Sequence, residues 1–127
     1  MKILADVCSL VEIDPKGKMF DDVSRGILKS DQTTFHIDFH TGLLKCKKMD
    51  KLEIAIFSND NKFNESNIPD KYNYLMGNGV VYKRDIKDGV YVVDMSFSGL
   101  LVQISQSTPI TKELEEEKRF YLGIAAL

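Results

Sequence analysis

Thr34-Phe35-His36-Ile37-Asp38-Phe39-His40 alternates without a break, with Phe35, Ile37 and Phe39 on one side and polar residues on the other. Successive side chains of a strand point to opposite faces, so this period of two marks a half-buried β-strand rather than a helix. Working outward, Leu52-Glu53-Ile54-Ala55-Ile56-Phe57 repeats the scheme, as do Leu100, Val102 and Ile104, and then Phe120, Leu122 and Ile124.

Turn chemistry separates these runs. Asp14-Pro15-Lys16-Gly17 has the residue preferences of a type I turn, and Asp88-Gly89 between two apolar runs is a two-residue hairpin signal. Gly42 and the triplet Gly77-Asn78-Gly79 interrupt longer runs and predict bends or bulges. About eight strands are expected, near 2–13, 18–28, 33–46, 51–58, 71–86, 90–97, 99–106 and 118–125. Many short strands with frequent turns specify an all-β barrel or sandwich. Helix is expected at most once, near 109–117, where Thr108 has the chemistry of a cap and Pro109 that of a first helical position. Residues 59–70, polar and rich in asparagine, are expected to form the most mobile loop.

The chain has 127 residues, 43% of them hydrophobic and 28% charged, with a formal net charge of −2. That length suits one domain over 1–127, and the near-neutral charge lends no support to a nucleic-acid binder or an anionic-membrane binder. The beginning Met1-Lys2-Ile3-Leu4-Ala5-Asp6 lacks a signal-peptide pattern, and no run reaches the roughly 20 apolar residues of a membrane span. A cytosolic or nuclear location without membrane contact is therefore expected. Cys8 and Cys46 are too few for a disulfide framework and too isolated for a zinc site, and they read as reduced packing thiols.

Chemistry-bearing clusters are scarce. His36 and His40 share one strand, but positions four apart lie about 13 Å apart at roughly 3.3 Å per residue, too far to hold one ion. Asn59-Asp60-Asn61 has Asn64 where a calcium loop needs glycine, Asn64-Glu65-Ser66 matches a glycosylation sequon only by letter, and Gly77-Asn78-Gly79 lacks the third glycine of a dinucleotide fingerprint. No nucleophile stands beside a base. No catalysis, cofactor, metal or small-molecule ligand is expected. Lys45, Lys47, Lys48 and Lys51 form one basic cluster, but without interleaved aromatics it lacks the stacking platforms of a single-strand binder.

Aromatic residues are concentrated instead over 72–84 and 90–97. One barrel interior of this size should not need all of them, and tyrosine and arginine are enriched at interface hot spots. Tyr74, Tyr82, Arg84 and Tyr91 are the expected partner-facing residues.

The order of four blocks resembles a known family. Residues 13–25, Ile13-Asp14-Pro15-Lys16-Gly17-Lys18-Met19-Phe20-Asp21-Asp22-Val23-Ser24-Arg25, resemble the N-terminal hairpin of the eighth subunit common to eukaryotic nuclear RNA polymerases I, II and III. Asp70-Lys71-Tyr72-Asn73-Tyr74-Leu75-Met76 followed by Val81-Tyr82-Lys83 is similar to its tyrosine-rich segment. Ser96-Phe97-Ser98-Gly99-Leu100-Leu101-Val102 is similar to its glycine and double-leucine strand, and Arg119-Phe120-Tyr121-Leu122 to its last strand. The loop over 59–70 is shorter than that family's, Ser98 stands for a second glycine, and Gln103 for an arginine. The resemblance implies an eight-stranded oligonucleotide/oligosaccharide-binding-type (OB-type) antiparallel barrel with no catalysis and no cofactor. It also implies a place in the nucleus against the largest polymerase subunit and other polymerase subunits. A free-standing OB-fold binder of single-stranded nucleic acid is the alternative, which the net charge disfavours.

Overall fold

In the computed structural model, which describes residues 1–18 and 20–127, the alternating runs form eight strands: β1 (Lys2–Ile13), β2 (Val23–Lys29), β3 (Thr33–His40), β4 (Lys51–Ser58), β5 (Tyr74–Lys87), β6 (Val90–Phe97), β7 (Leu100–Gln106) and β8 (Phe120–Ala126). They close into one antiparallel barrel in the order β1-β2-β3-β7-β6-β5-β8-β4, the expected all-β class. One side chain in two faces inward. Phe35 and Ile37 of β3, Ile54 and Ile56 of β4, Val93, Met95 and Phe97 of β6, and Phe120, Leu122 and Ile124 of β8 fill the interior almost without exposure. Among the described residues no helix is long and apolar enough to cross a membrane.

The hairpins use the turns their residues permit. Asp88 and Gly89 have φ of 51° and 78°, the left-handed pair of a type I′ turn whose twist suits paired strands. Ser98 and Gly99 do the same between β6 and β7, at 55° and 95°. Gly99 is thus needed for its φ and not for a close approach, since a Cβ there would meet nothing within 4 Å. The close approach is at Gly79, which pairs with Phe97 across β5 and β6 and where a Cβ would overlap the Phe97 ring.

Three expectations change. β2 begins at Val23 rather than near 18. β3 stops at His40 rather than near 46, because the His40 carbonyl accepts from Leu43 and Leu44 N–H (3.1 and 3.0 Å) and reverses the chain. The segment 109–117 forms turns and no helix. Ile110 and Leu114, spaced as on a helix face, are instead buried at the Thr33 end of the barrel. Residues 59–70, expected as the mobile loop, are mostly exposed, with Ile68 buried and Phe63 half-buried against β4. Phe63 stacks on Phe57 of β4 at 5.7 Å between centroids, and Tyr72 meets Phe57 edge-on at 5.2 Å. Each such aromatic pair contributes about 0.5–1.5 kcal/mol beyond its burial. A short 3-10 turn, Glu65–Asn67, is capped by Asn64, and Tyr72 donates its hydroxyl proton to Glu53, which also pairs with Lys71 Nζ at 3.1 Å. Ala55, Ile68 and Ala125 complete this second cluster on the outer face of β4 and β8.

Candidate protein-interaction surface

On the outer face of β2 and β3, the pairing register sets Arg25 opposite Asp38. Arg25 Nε donates to Asp38 Oδ1 at 2.7 Å and Nη2 to Oδ2 at 3.1 Å, a fork geometry that aligns both groups. Asp38 is buried, and Oδ2 also accepts the N–H of Leu101 at 3.0 Å. The β3–β7 ladder ends at Ile37 and Val102, so the carboxylate supplies the acceptor that the ladder no longer does. The guanidinium is held in place while its side chain stays 46% exposed.

His36 stands two residues before Asp38. Burial, with Arg25 and Lys29 nearby, lowers its pKa, so it is a neutral ring at neutral pH. Gln103 of β7 faces it across the ladder and donates through Nε2 to Asp94 Oδ1 at 2.9 Å. Tyr82 closes the far side. It occupies a bulge, for Val81 pairs with Met95 and Lys83 already with Asp94, and a residue squeezed out of the ladder is turned to the outside. Its side chain is largely exposed, and partial desolvation together with the Asp94 charge raises its pKa.

These residues frame two concavities. The larger, about 340 Å³, lies between the turn at Asp14 and β2–β3 and is walled by Pro15, Phe20, Val23 and Ile27. The smaller, about 190 Å³, is walled by Tyr82, Asp94, Leu101 and Gln103. Arg25 and His36 line both, so the two form one trough. Phe20 is 67% exposed at its rim, and Leu101 also reaches solvent. The chemistry available is recognition: exposed apolar and aromatic groups around a fixed, half-exposed guanidinium. The Asp38 carboxylate is held by three donors, two from Arg25 and the N–H of Leu101.

The four residues expected to face a partner part company here. Tyr82 is outward. Tyr74 is core, with its hydroxyl accepting the His40 N–H at 3.0 Å and burial raising its pKa. Tyr91 is half-buried against the core. Arg84 lies at the rim but bonds inward: Nη1 donates to the carbonyls of Thr111 and Leu114 (3.1 and 2.7 Å) and Nη2 to that of Ile110 (3.0 Å). Arg25, Phe20 and Leu101 were not among those expected. Arg25 was within reach of the sequence, because counting back from the turn at Ser30 sets it opposite Asp38. The exposure of Phe20 carried no such signal.

The profile of the RNA polymerase Rpb8 family matches residues 5–125. The chain belongs to that family. It is also 30% identical over 135 aligned positions to a Dictyostelium discoideum protein named DNA-directed RNA polymerases I, II, and III subunit rpabc3, an alignment covering 96% of this chain and 95% of that one. The Rpb8 match runs from within β1 to within β8, so it takes in nearly all of the barrel and every residue of the trough.

Proposed function

We propose that this Rpb8-family chain is a non-catalytic, structural subunit of a nuclear DNA-directed RNA polymerase and docks on the largest subunit through the trough between Phe20 and Tyr82. Membership of the Rpb8 family and the name of the Dictyostelium relative support the polymerase. The observation that carries the surface is the exposed Tyr82, 52% accessible, beside a guanidinium already oriented by Asp38. Tyrosine and arginine are the residues that most often anchor an interface, and an arginine held beforehand loses less side-chain freedom on docking. Tyr82 and Tyr91 remain as contacts in this reading, Tyr91 only through its half-exposed edge, while Tyr74 and Arg84 support the barrel behind them. A single-strand nucleic-acid role finds less support, since stacking on successive bases needs a row of exposed aromatics along a basic groove and Arg25 is already neutralised by Asp38.

The test is recovery of the largest polymerase subunit with tagged variants Tyr82→Asp and Phe20→Asp, both solvent-facing. They should fold as the parent does by circular dichroism and recover the large subunit at least ten-fold less well. Full recovery by folded variants would overturn the assignment of this surface.

A further inference from the structure

β1 is longer than either neighbour can cover. It pairs with β4 from Lys2 to Ser9, but with β2 only from Ser9 to Ile13, because β2 ends at Lys29 and turns into β3. Among the described residues the N-terminal half of β1 therefore has no ladder partner on one of its two edges. Which groups point there follows from the ladder. Leu10 donates its N–H to Asp50 on the β4 side at 2.9 Å, and the register runs evenly from Leu4 to Ser9. Alternation then directs the N–H and C=O of Leu4, Asp6 and Cys8 to β4, and those of Ala5 and Val7 away from it. Val7 faces the tip of the β2–β3 hairpin, where Ser30 Oγ donates to Asp6. Ala5 lines a cleft of about 300 Å³ together with the polar residues Gln32, Thr33, Gln106 and Thr111 and apolar residues that include Leu4 and Ile110.

We infer that this cleft takes a short extended segment of another polymerase subunit, added to β1 at Ala5 in line with β2. An edge of unpaired N–H and C=O groups selects an extended backbone. The apolar lining, Leu4 and Ile110 among it, selects an uncharged apolar side chain on the residue that points inward. The occupant is a single strand, because a second copy of this barrel would have to bring its own β1 edge with a barrel attached into a cleft of about 300 Å³. The inference rests on polymerase membership but uses a surface separate from the Tyr82 trough.

Backbone and side-chain contact are separable at Ala5. Ala5→Pro removes an N–H of this free edge and no β4 ladder bond, whereas Ala5→Ser keeps that N–H. Tagged Ala5→Pro should recover the other polymerase subunits at least ten-fold less well, with Ala5→Ser like the parent. Equal recovery by folded Ala5→Pro, or equal loss by Ala5→Ser, overturns the inference. Should Ala5→Pro not fold, residue-resolved hydrogen exchange on the parent decides. The Ala5 amide should exchange quickly in the isolated chain while Asp6 and Cys8 are protected, and become protected in the assembled polymerase. An Ala5 amide that stays fast in the assembly, is already slow alone, or is slow only because the isolated chain forms dimers by sedimentation overturns it. Loss of recovery with Tyr82→Asp but not Ala5→Pro removes strand addition and leaves the docking proposal standing.

Discussion

At Gly79 and Gly99 the same residue type answers two different needs. Gly99 sits at a φ of 95° with open space beside it, and Gly79 lies beneath the buried Phe97 ring. Gly79→Ala should cost about 1–3 kcal/mol, because a packed ring must leave its rotamer, while Gly99→Ala should cost about 1–2 kcal/mol from backbone strain alone. Urea midpoints of the two variants measure this, and a double variant with Phe97→Leu should relieve the first loss but not the second. His36 makes a second prediction at this scale. Burial, with Arg25 and Lys29, depresses its folded pKa below the unfolded value near 6.5. The unfolded chain therefore takes up the proton first as pH falls, and stability drops from about pH 6.5 downward. Denaturation midpoints at pH 7.5 and 5.5 should differ by more in the parent than in His36→Gln.

Among the elements, the strands with an alternating sequence were readable: β3, β4, β7 and β8 announce themselves by period two, and the Asp88-Gly89 turn by residue type. What misled was the helix-start chemistry of Thr108 and Pro109, because the residues after it serve a distant partner. Ile110 and Leu114 are four apart, as on a helix face, yet both are drawn into the barrel mouth and the carbonyls of 110, 111 and 114 are satisfied by Arg84. Arg84 reaches them because the bulge at Tyr82 resets the alternation of β5 after Val81, setting Arg84 opposite Val93. A one-residue slip of that kind reverses every later side chain and leaves no mark in composition, which is why Tyr82 and Arg84 looked equivalent in sequence and are not. Arg84→Gln should cost about 1–3 kcal/mol and hasten proteolysis within 109–117. Arg84→Lys should not restore it, since one ammonium lacks the planar fork that reaches three carbonyls. The cluster over β4 predicts likewise that Phe63→Ala exposes residues 59–72 to protease, with a loss of about 1–2 kcal/mol.

At the scale of the whole molecule, closure depends on strands far apart in sequence. β4 is flanked by β1 and β8, and β3 by β2 and β7, so no half of the chain contains a complete sheet. Deletion of residues 120–127 removes Phe120, Leu122 and Ile124 from the interior and parts β4 from β5. The truncated chain should lose its near-ultraviolet circular dichroism and its cooperative thermal transition entirely, not step down in stability. A barrel whose remaining strands stayed cooperative would show β8 to be an accessory.

The insertion of β8 between β4 and β5 also has a meaning in time. A ribosome adds about 5–20 residues per second, so several seconds separate the synthesis of Ser58 from that of Phe120. Throughout that interval β4, one of the most apolar segments of the chain, waits with an open edge as a template for any passing strand. The newborn chain is thus most vulnerable to aggregation before it is finished, and its survival depends on what shields β4 while translation runs.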